Sequence, residues 1–401
     1  MTAPRRVAAA DGPPRIAEAI AAALREAREY TLSLYAHLTP EARRFPLVPT
    51  VNPADWELAH VGWFQEFWCR RYSVEDPDGA RVASRVADAD AWWDSRRVAH
   101  DTRWSLPLPG IDAVHDYLAA TLDDTLRALA RGDGHDTYAY ELALYHEDMH
   151  GEALLMTLQT LALPAPARFT DGPNAEPSGA DGDVRYEGGR FVLGTSVADA
   201  ADRFVFDNEL GAHECLLMPF AMARSPVTQR AFAAFVDDRG YAEASLWSPE
   251  GRAWLATAHR TTPAYWRRAG DRWEQRRFDR WGPLDADAPV VHVNAFEAEA
   301  FCRWAGRRLP TEAEWEYAFA HGHARLPGAA WEWTASPFVP YPGFTPHRYA
   351  EYSQPWFGTH RVLRGGAWCT RPRLVHARFR NFYEPWRHDP FVGFRTCAAD
   401  R

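Results

Sequence analysis

The chain of 401 residues contains no lysine: apart from histidine, its basic side chains are the 45 arginines. That absence removes the Schiff-base lysine on which ordinary pyridoxal-phosphate catalysis depends. It also removes the phosphate-binding lysine of a P-loop. Cysteine is sparse. Cys69, Cys215, Cys302, Cys369 and Cys397 form no C-x-x-C pair, and an odd, scattered set points to reduced thiols and a cytoplasmic protein. No apolar run approaches the length of a membrane span, and the first residues lack the apolar core of a signal peptide. Positive charge is in deficit as well. A formal net charge of −9 argues against nucleic acid or an anionic membrane as the main partner. What is abundant is aromatic: 13% of the residues, 18 of them tryptophan, enough to build rigid, flat-walled pockets.

The length suits two domains, and the chain changes character midway. Up to residue 165 the apolar periodicity is helical. It predicts helices over 16–38, from a start at Asn52-Pro53 (Asn52 as cap, Pro53 in the first turn), over 112–131 ending at Gly132 and Gly134, and over 136–163. Four long helices with a long second connection predict an antiparallel four-helix bundle. The Pro-, Gly- and Asp-rich stretch 166–182 reads as a linker. From 183 to 401 short aromatic and β-branched runs alternate with Gly, Pro and Asn. Helices are predicted there at 229–238, 295–305 and 312–320, with little other regular structure. The fold class is therefore α+β and multidomain.

The most informative run is His146-Glu147-Asp148-Met149-His150. Two histidines four apart on a helix share one face and can grip one metal ion. The run also matches the H-E-x-x-H signature of zinc proteases, in which Glu147 would be the general base. A third ligand is at hand in His60, on the inward face of the second predicted helix, and facing helices of a bundle are where metal sites are built. Three imidazoles leave one position open on tetrahedral zinc and three on octahedral iron.

The second half carries an ordered series: F-V-L-G (191–194), S-P-V-T (225–228), P-V-V-H-V (289–293), R-L-P-T-E-A-E-W-E-Y-A (308–318), W-E-W (331–333), R-G-G-A-W (364–368) and G-F-R (393–395). Together these resemble the formylglycine-generating-enzyme fold, also called the sulfatase-modifying-factor or C-type-lectin-like fold. Formylglycine generation itself needs a cysteine pair after R-G-G. Here Cys369 stands alone, with Val375 where the partner would be, so that activity is not expected. A DinB-like bundle ahead of this fold, with an upstream His and an H-x-x-x-H pair, resembles the ergothioneine sulfoxide synthase family. The resemblance implies a non-haem Fe(II) enzyme that uses O₂ to join a sulfur donor, or in the related selenoneine synthases a selenosugar, to C2 of the imidazole of hercynine. It implies His60, His146 and His150 as iron ligands, with Glu147 orienting a ligand ring. It implies a proton-donating tyrosine, for which Tyr341, Tyr349 and Tyr352 are the candidates. It further implies that Asn381 and Phe382 contact the betaine and that Arg387 grips a donor carboxylate.

Two departures bear on the donor. The branch using γ-glutamylcysteine carries an aspartate two after the Asn, where this chain has Tyr383, which cannot pair an ammonium group. The same branch has glutamine just before the last iron ligand, where this chain has Met149, which donates no hydrogen bond. Free cysteine or a selenosugar remains, and a sugar would suit the aromatic and arginine-rich surroundings, with Arg103 as a polar contact. The expectation is a selenoneine synthase. A C–S-forming sulfoxide synthase, a zinc hydrolase and a non-catalytic binding module are the alternatives.

Overall fold

A computed structural model describes residues 13–76, 80–132, 136–169, 182–322 and 329–399. The chain divides into two compact units, 1–157 and 158–401. Most of the expected linker (170–181) and Gly134 lie outside the described residues.

The first unit is helical. Its long helices are α1 (Pro13–Tyr35), α2 (Ala54–Glu66, running on into a π-turn at Phe67–Arg71), and, beyond the five-residue α3 (Ala89–Trp93), α4 (Ile111–Ala130) and α5 (Tyr138–Thr160). From Ala54 to Glu66, all but Asp55 is buried, the mark of a helix surrounded by others. Such burial requires close approach: a Cβ on Gly62 would stand 2.7 Å from Leu118 of α4. Asn52 does not cap α2. The cap position belongs to Pro53 in extended conformation, and the Asn52 carboxamide accepts from Arg103 Nη1 at 2.7 Å. Helix α4 stops at Gly132, whose φ of +70° only glycine adopts without cost.

One side chain ties this unit together. The buried Arg28 of α1 donates to Gln65 Oε1 of α2 (2.8 Å), to the Leu118 carbonyl of α4 (2.7 Å) and to the Glu147 carboxylate of α5 (2.8 and 3.1 Å). A single guanidinium fork thus fixes the relative setting of four helices, a role its five fixed donors suit.

The second unit carries far more regular structure than expected: thirteen strands in four sheets among the described residues. Strands β1 (Asp183–Tyr186), β2 (Gly189–Leu193), β3 (His213–Leu217) and β4 (Phe220–Ala223) precede α6 (Gln229–Asp237) and α7 (Pro249–Ala258). A meander of β5 (Trp266–Ala269), β6 (Arg272–Arg277) and β7 (Arg280–Pro283) follows, then α8 (Ala295–Trp304), β8 (Arg307–Arg308) and α9 (Glu312–Ala320). The chain ends with β9 (Ala330–Pro337), β10 (Arg361–Gly366), β11 (Asn381–Tyr383), β12 (Val392–Phe394) and β13 (Cys397–Ala398). The sheet orders are β1-β4-β13-β8, β11-β10-β9-β12, β2-β3 and β5-β6-β7, with β9 and β12 parallel. Helices α8 and α9 start at capping boxes, Asn294 with Glu297 and Thr311 with Glu314.

Four motifs of the series, 308–318, 331–333, 364–368 and 393–395, supply a buried ionic core. Arg364 of R-G-G meets Glu312 at 2.9 Å and Glu316 at 3.1 Å. Arg380 meets Glu312 at 2.9 Å, and Arg395 of G-F-R meets Glu332 of W-E-W at 2.9 Å. Charges so buried persist only when paired. All five cysteines are free thiols.

Candidate metal centre

His60 of α2 faces His146 and His150 of α5. The ring centroids lie 5.1 Å (His60–His146), 5.0 Å (His60–His150) and 4.5 Å (His146–His150) apart, and one ligating atom from each ring falls within 4.8 Å of the others. The expected ligands are therefore brought together within the first unit.

Two rings are held by acceptors at their outer nitrogens. His60 Nδ1 meets the Trp93 carbonyl at 2.7 Å, and His150 Nδ1 meets Glu57 Oε1 at 2.8 Å. An Nδ1 that donates leaves Nε2 as a lone pair, the form a metal needs. His146 is stacked face to face on Phe64 at 3.5 Å, and among the described residues its buried Nδ1 has no hydrogen-bond partner. Burial, then the neighbouring His150, pushes His60 and His146 well below the usual imidazole range. They are neutral, as ligands must be. The set is all-nitrogen, with His60 and His146 buried and His150 half-exposed. It suits a borderline divalent metal such as iron or zinc.

Glu147 does not orient a ligand ring. Adjacent helical residues point about 100° apart, so Glu147 turns toward α1 and is taken by Arg28. Held there, it is also unsuited to act as a hydrolytic base. The orienting carboxylate is Glu57, buried on the face of α2 three residues before His60. Its only local signal in the sequence is an acid in so apolar a helix. Arg103 is half-buried. It lies over the Trp56 ring at 4.0 Å, and Trp56 is stacked on His60 at 5.0 Å with a 7° tilt. Met149 is half-buried beside His150 on α5.

The remaining candidates belong to the second unit. Tyr341 is buried, donating to Glu312 at 3.0 Å and accepting from Arg364 at 3.0 Å. With both roles of its hydroxyl used inside the ionic core, and burial raising its pKa, it is a structural tyrosine. Tyr352 is stacked on Phe206 at 4.0 Å, near the half-buried Tyr349. On β11, Asn381 Oδ1 accepts from the Phe382 amide at 2.9 Å, and Phe382 is stacked on Phe338 at 4.0 Å. Arg387 lies over the Tyr383 ring at 5.1 Å, but its fork is already taken bidentately by Asp389 at 2.6 and 2.5 Å. The fork expected to grip a donor carboxylate is thus paired within the chain.

Two family models match the chain: the DinB superfamily over residues 23–159, and the sulfatase-modifying factor enzyme 1-like domain over 169–327 and 320–400. The chain is 34% identical to a hercynine oxygenase of Mycolicibacterium smegmatis, over 95% of this chain and 98% of that one. It is 34% identical to a hercynine oxygenase of Mycobacterium tuberculosis, over 87% and 91%. A formylglycine-generating enzyme of Streptomyces coelicolor is 30% identical, over 60% of this chain and 96% of its own.

Proposed function

Because the chain belongs to the hercynine oxygenase family, a DinB-superfamily bundle joined to a sulfatase-modifying-factor domain, we propose that it is an Fe(II)- and O₂-dependent synthase acting on hercynine. The observation that carries the reading is the cluster of His60, His146 and His150. Iron held there would supply oxygen activation and a common anchor for acceptor and donor, which makes an encounter of three reactants effectively intramolecular. With a thiol donor the balance is hercynine C2–H plus R–SH plus O₂ giving the C2–S(=O)–R sulfoxide and water. The C–H and S–H bonds break, sulfur and carbon are oxidised, and O₂ is reduced to the sulfoxide oxygen and water.

The chain's own residues prepare this chemistry. Glu57 and the Trp93 carbonyl keep the protons of His150 and His60 on the outer nitrogens. Arg28 holds α5 against the other helices, and the Trp56 and Phe64 rings wall the site. Family membership favours sulfur transfer, giving an ergothioneine-type sulfoxide. The selenosugar donor remains as a second reading on one observation: Tyr383 stands with its ring under Arg387, and Asp389 closes the arginine's fork. That arrangement offers neither an acid for a donor ammonium nor a free fork for its carboxylate.

Donor competition separates the two. Protein loaded with Fe(II) under nitrogen receives hercynine and O₂ with cysteine, γ-glutamylcysteine or a selenosugar, and products are read by mass spectrometry. A sulfoxide with a thiol supports the first reading. A selenium product from the selenosugar alone replaces it with the second, and no product from any donor removes both.

A further inference from the structure

The second unit contains a cavity of about 290 Å³ that none of the candidate metal, acceptor or donor residues lines. One wall is aromatic. The Trp368 ring is its hub, edge-on to Phe169 at 5.0 Å, to Phe391 at 5.1 Å and to Phe278 at 6.4 Å. The β6–β7 hairpin, whose turn supplies Phe278, also brings charge to the lining.

The charge is unbalanced. The half-buried charged residues of the lining are Arg276 and Arg277, while the lining carboxylates, Asp279 and Asp285, are exposed. Arg276 is committed. It donates to the Phe278 carbonyl at 2.5 Å and the Thr160 carbonyl at 3.4 Å, and covers the Tyr265 ring. Arg277 is not: among the described residues nothing hydrogen-bonds its guanidinium, and Asp285 meets its charge only through space. Burial lowers the pKa of both, as expected of cations short of a counter-charge.

The backbone around the cavity is strained. Non-glycine residues in the left-handed region include Phe278 (φ 52°) and His292 (φ 61°) in the lining, Tyr265 (φ 65°) edge-on to His292, and Ala162 (φ 57°) in the turn between lining residues Gln159 and Pro164. Four of the six such residues described gather at this one place. Strain of this kind persists where the surroundings over-determine it, and it clusters at ligand sites. His292 Nδ1 donates to the His388 carbonyl at 3.1 Å, which leaves Nε2 as an acceptor.

We propose that this cavity is a binding site for a small heteroaromatic carboxylate, with the carboxylate on Arg277, the ring against Trp368 and Phe391, and a ring N–H accepted by His292. The size fits a ligand of a dozen or so heavy atoms, at the lower end of small-molecule pockets. A cationic ligand would find no buried carboxylate in this lining. The inference is independent of the hercynine reading.

Calorimetry on the full chain tests it, with indole-3-acetate as probe and the uncharged indole-3-acetamide as control. The acid is expected to bind one to one and the amide about tenfold or more weaker, since the charge-assisted bond is lost. Arg277→Gln lowers the acid to the level of the amide, Arg277→Lys restores most of the difference, and His146→Ala leaves it unchanged. Absence of acid binding, equal binding of acid and amide, or wild-type binding by Arg277→Gln overturns the proposal. So does loss of binding in His146→Ala.

Discussion

The Glu57 carboxylate takes His150 Nδ1 at 2.8 Å, a bond between residues 93 apart in the chain. It joins α2, which carries His60, to α5, which carries the other two histidines, and fixes the third ring as a donor of its Nε2 lone pair. Carboxylates in this position raise ligand basicity and lock the tautomer. Glu57→Gln is therefore expected to weaken Fe(II) binding about 10- to 100-fold, with little change in helicity. Anaerobic titration of the metal-free protein with Fe(II), alongside circular dichroism, reads both quantities.

Glu147 separates the iron and hydrolase readings. Glu147→Ala leaves Arg28 buried without its acid and is expected to cost about 3–5 kcal/mol of stability. Iron stoichiometry stays intact, because Glu147 touches no ligand ring. Thermal unfolding and metal content report the two effects. Loss of bound metal at unchanged stability would contradict the assignment.

Glu209 sets a pH dependence in the second unit. Burial pushes its carboxyl up to about 8; among the described residues its Oε2 has no hydrogen-bond partner, with His376 Nε2 3.6 Å away. The folded state binds this proton more tightly than the unfolded chain does, so its contribution is fully present below the unfolded value of about 4.3 and is lost as pH rises through about 8. Glu209→Gln removes that titration. The variant's stability is expected to gain on the wild type between pH 6 and pH 9, as denaturant midpoints at the two pH values would show.

Tyr383 tests the donor side. Tyr383→Asp installs the acid of the γ-glutamylcysteine-using branch beside Arg387, and use of γ-glutamylcysteine is expected to appear or rise. Unchanged donor preference would remove Tyr383 as a selector. Among the tyrosines, Tyr349→Phe and Tyr352→Phe should differ in kcat if one donates the proton. Tyr341→Phe acts through stability, since its hydroxyl belongs to the Glu312–Arg364 core.

The histidine triad was legible because its signal is local: one i, i+4 pair and one inward histidine in a periodic helix. The partners that orient it were not. Glu57, Trp93 and Arg28 reach their targets across 93, 33 and 119 residues, and no local period encodes such contacts. Glu147 was misassigned for the same reason: its neighbours in sequence are ligands, whereas its neighbour in space is on α1. The β5–β7 meander was missed because its strands lack a buried apolar face; Trp266 is the one buried residue of β5, and the charged Arg272–Arg277 run shows no clean alternation. Arg364 and Arg395 were recognised as motif positions, yet their role as buried pairs with glutamates on α9 and β9 appears only in the fold.

The most direct test of the account is the consumption of hercynine by protein supplied with Fe(II) and O₂ together, each withheld in turn. Loss of hercynine only when both are present, and no loss in His146→Ala, is the predicted result. No consumption under any condition, or metal-dependent turnover that proceeds with zinc in the absence of oxygen, would contradict it.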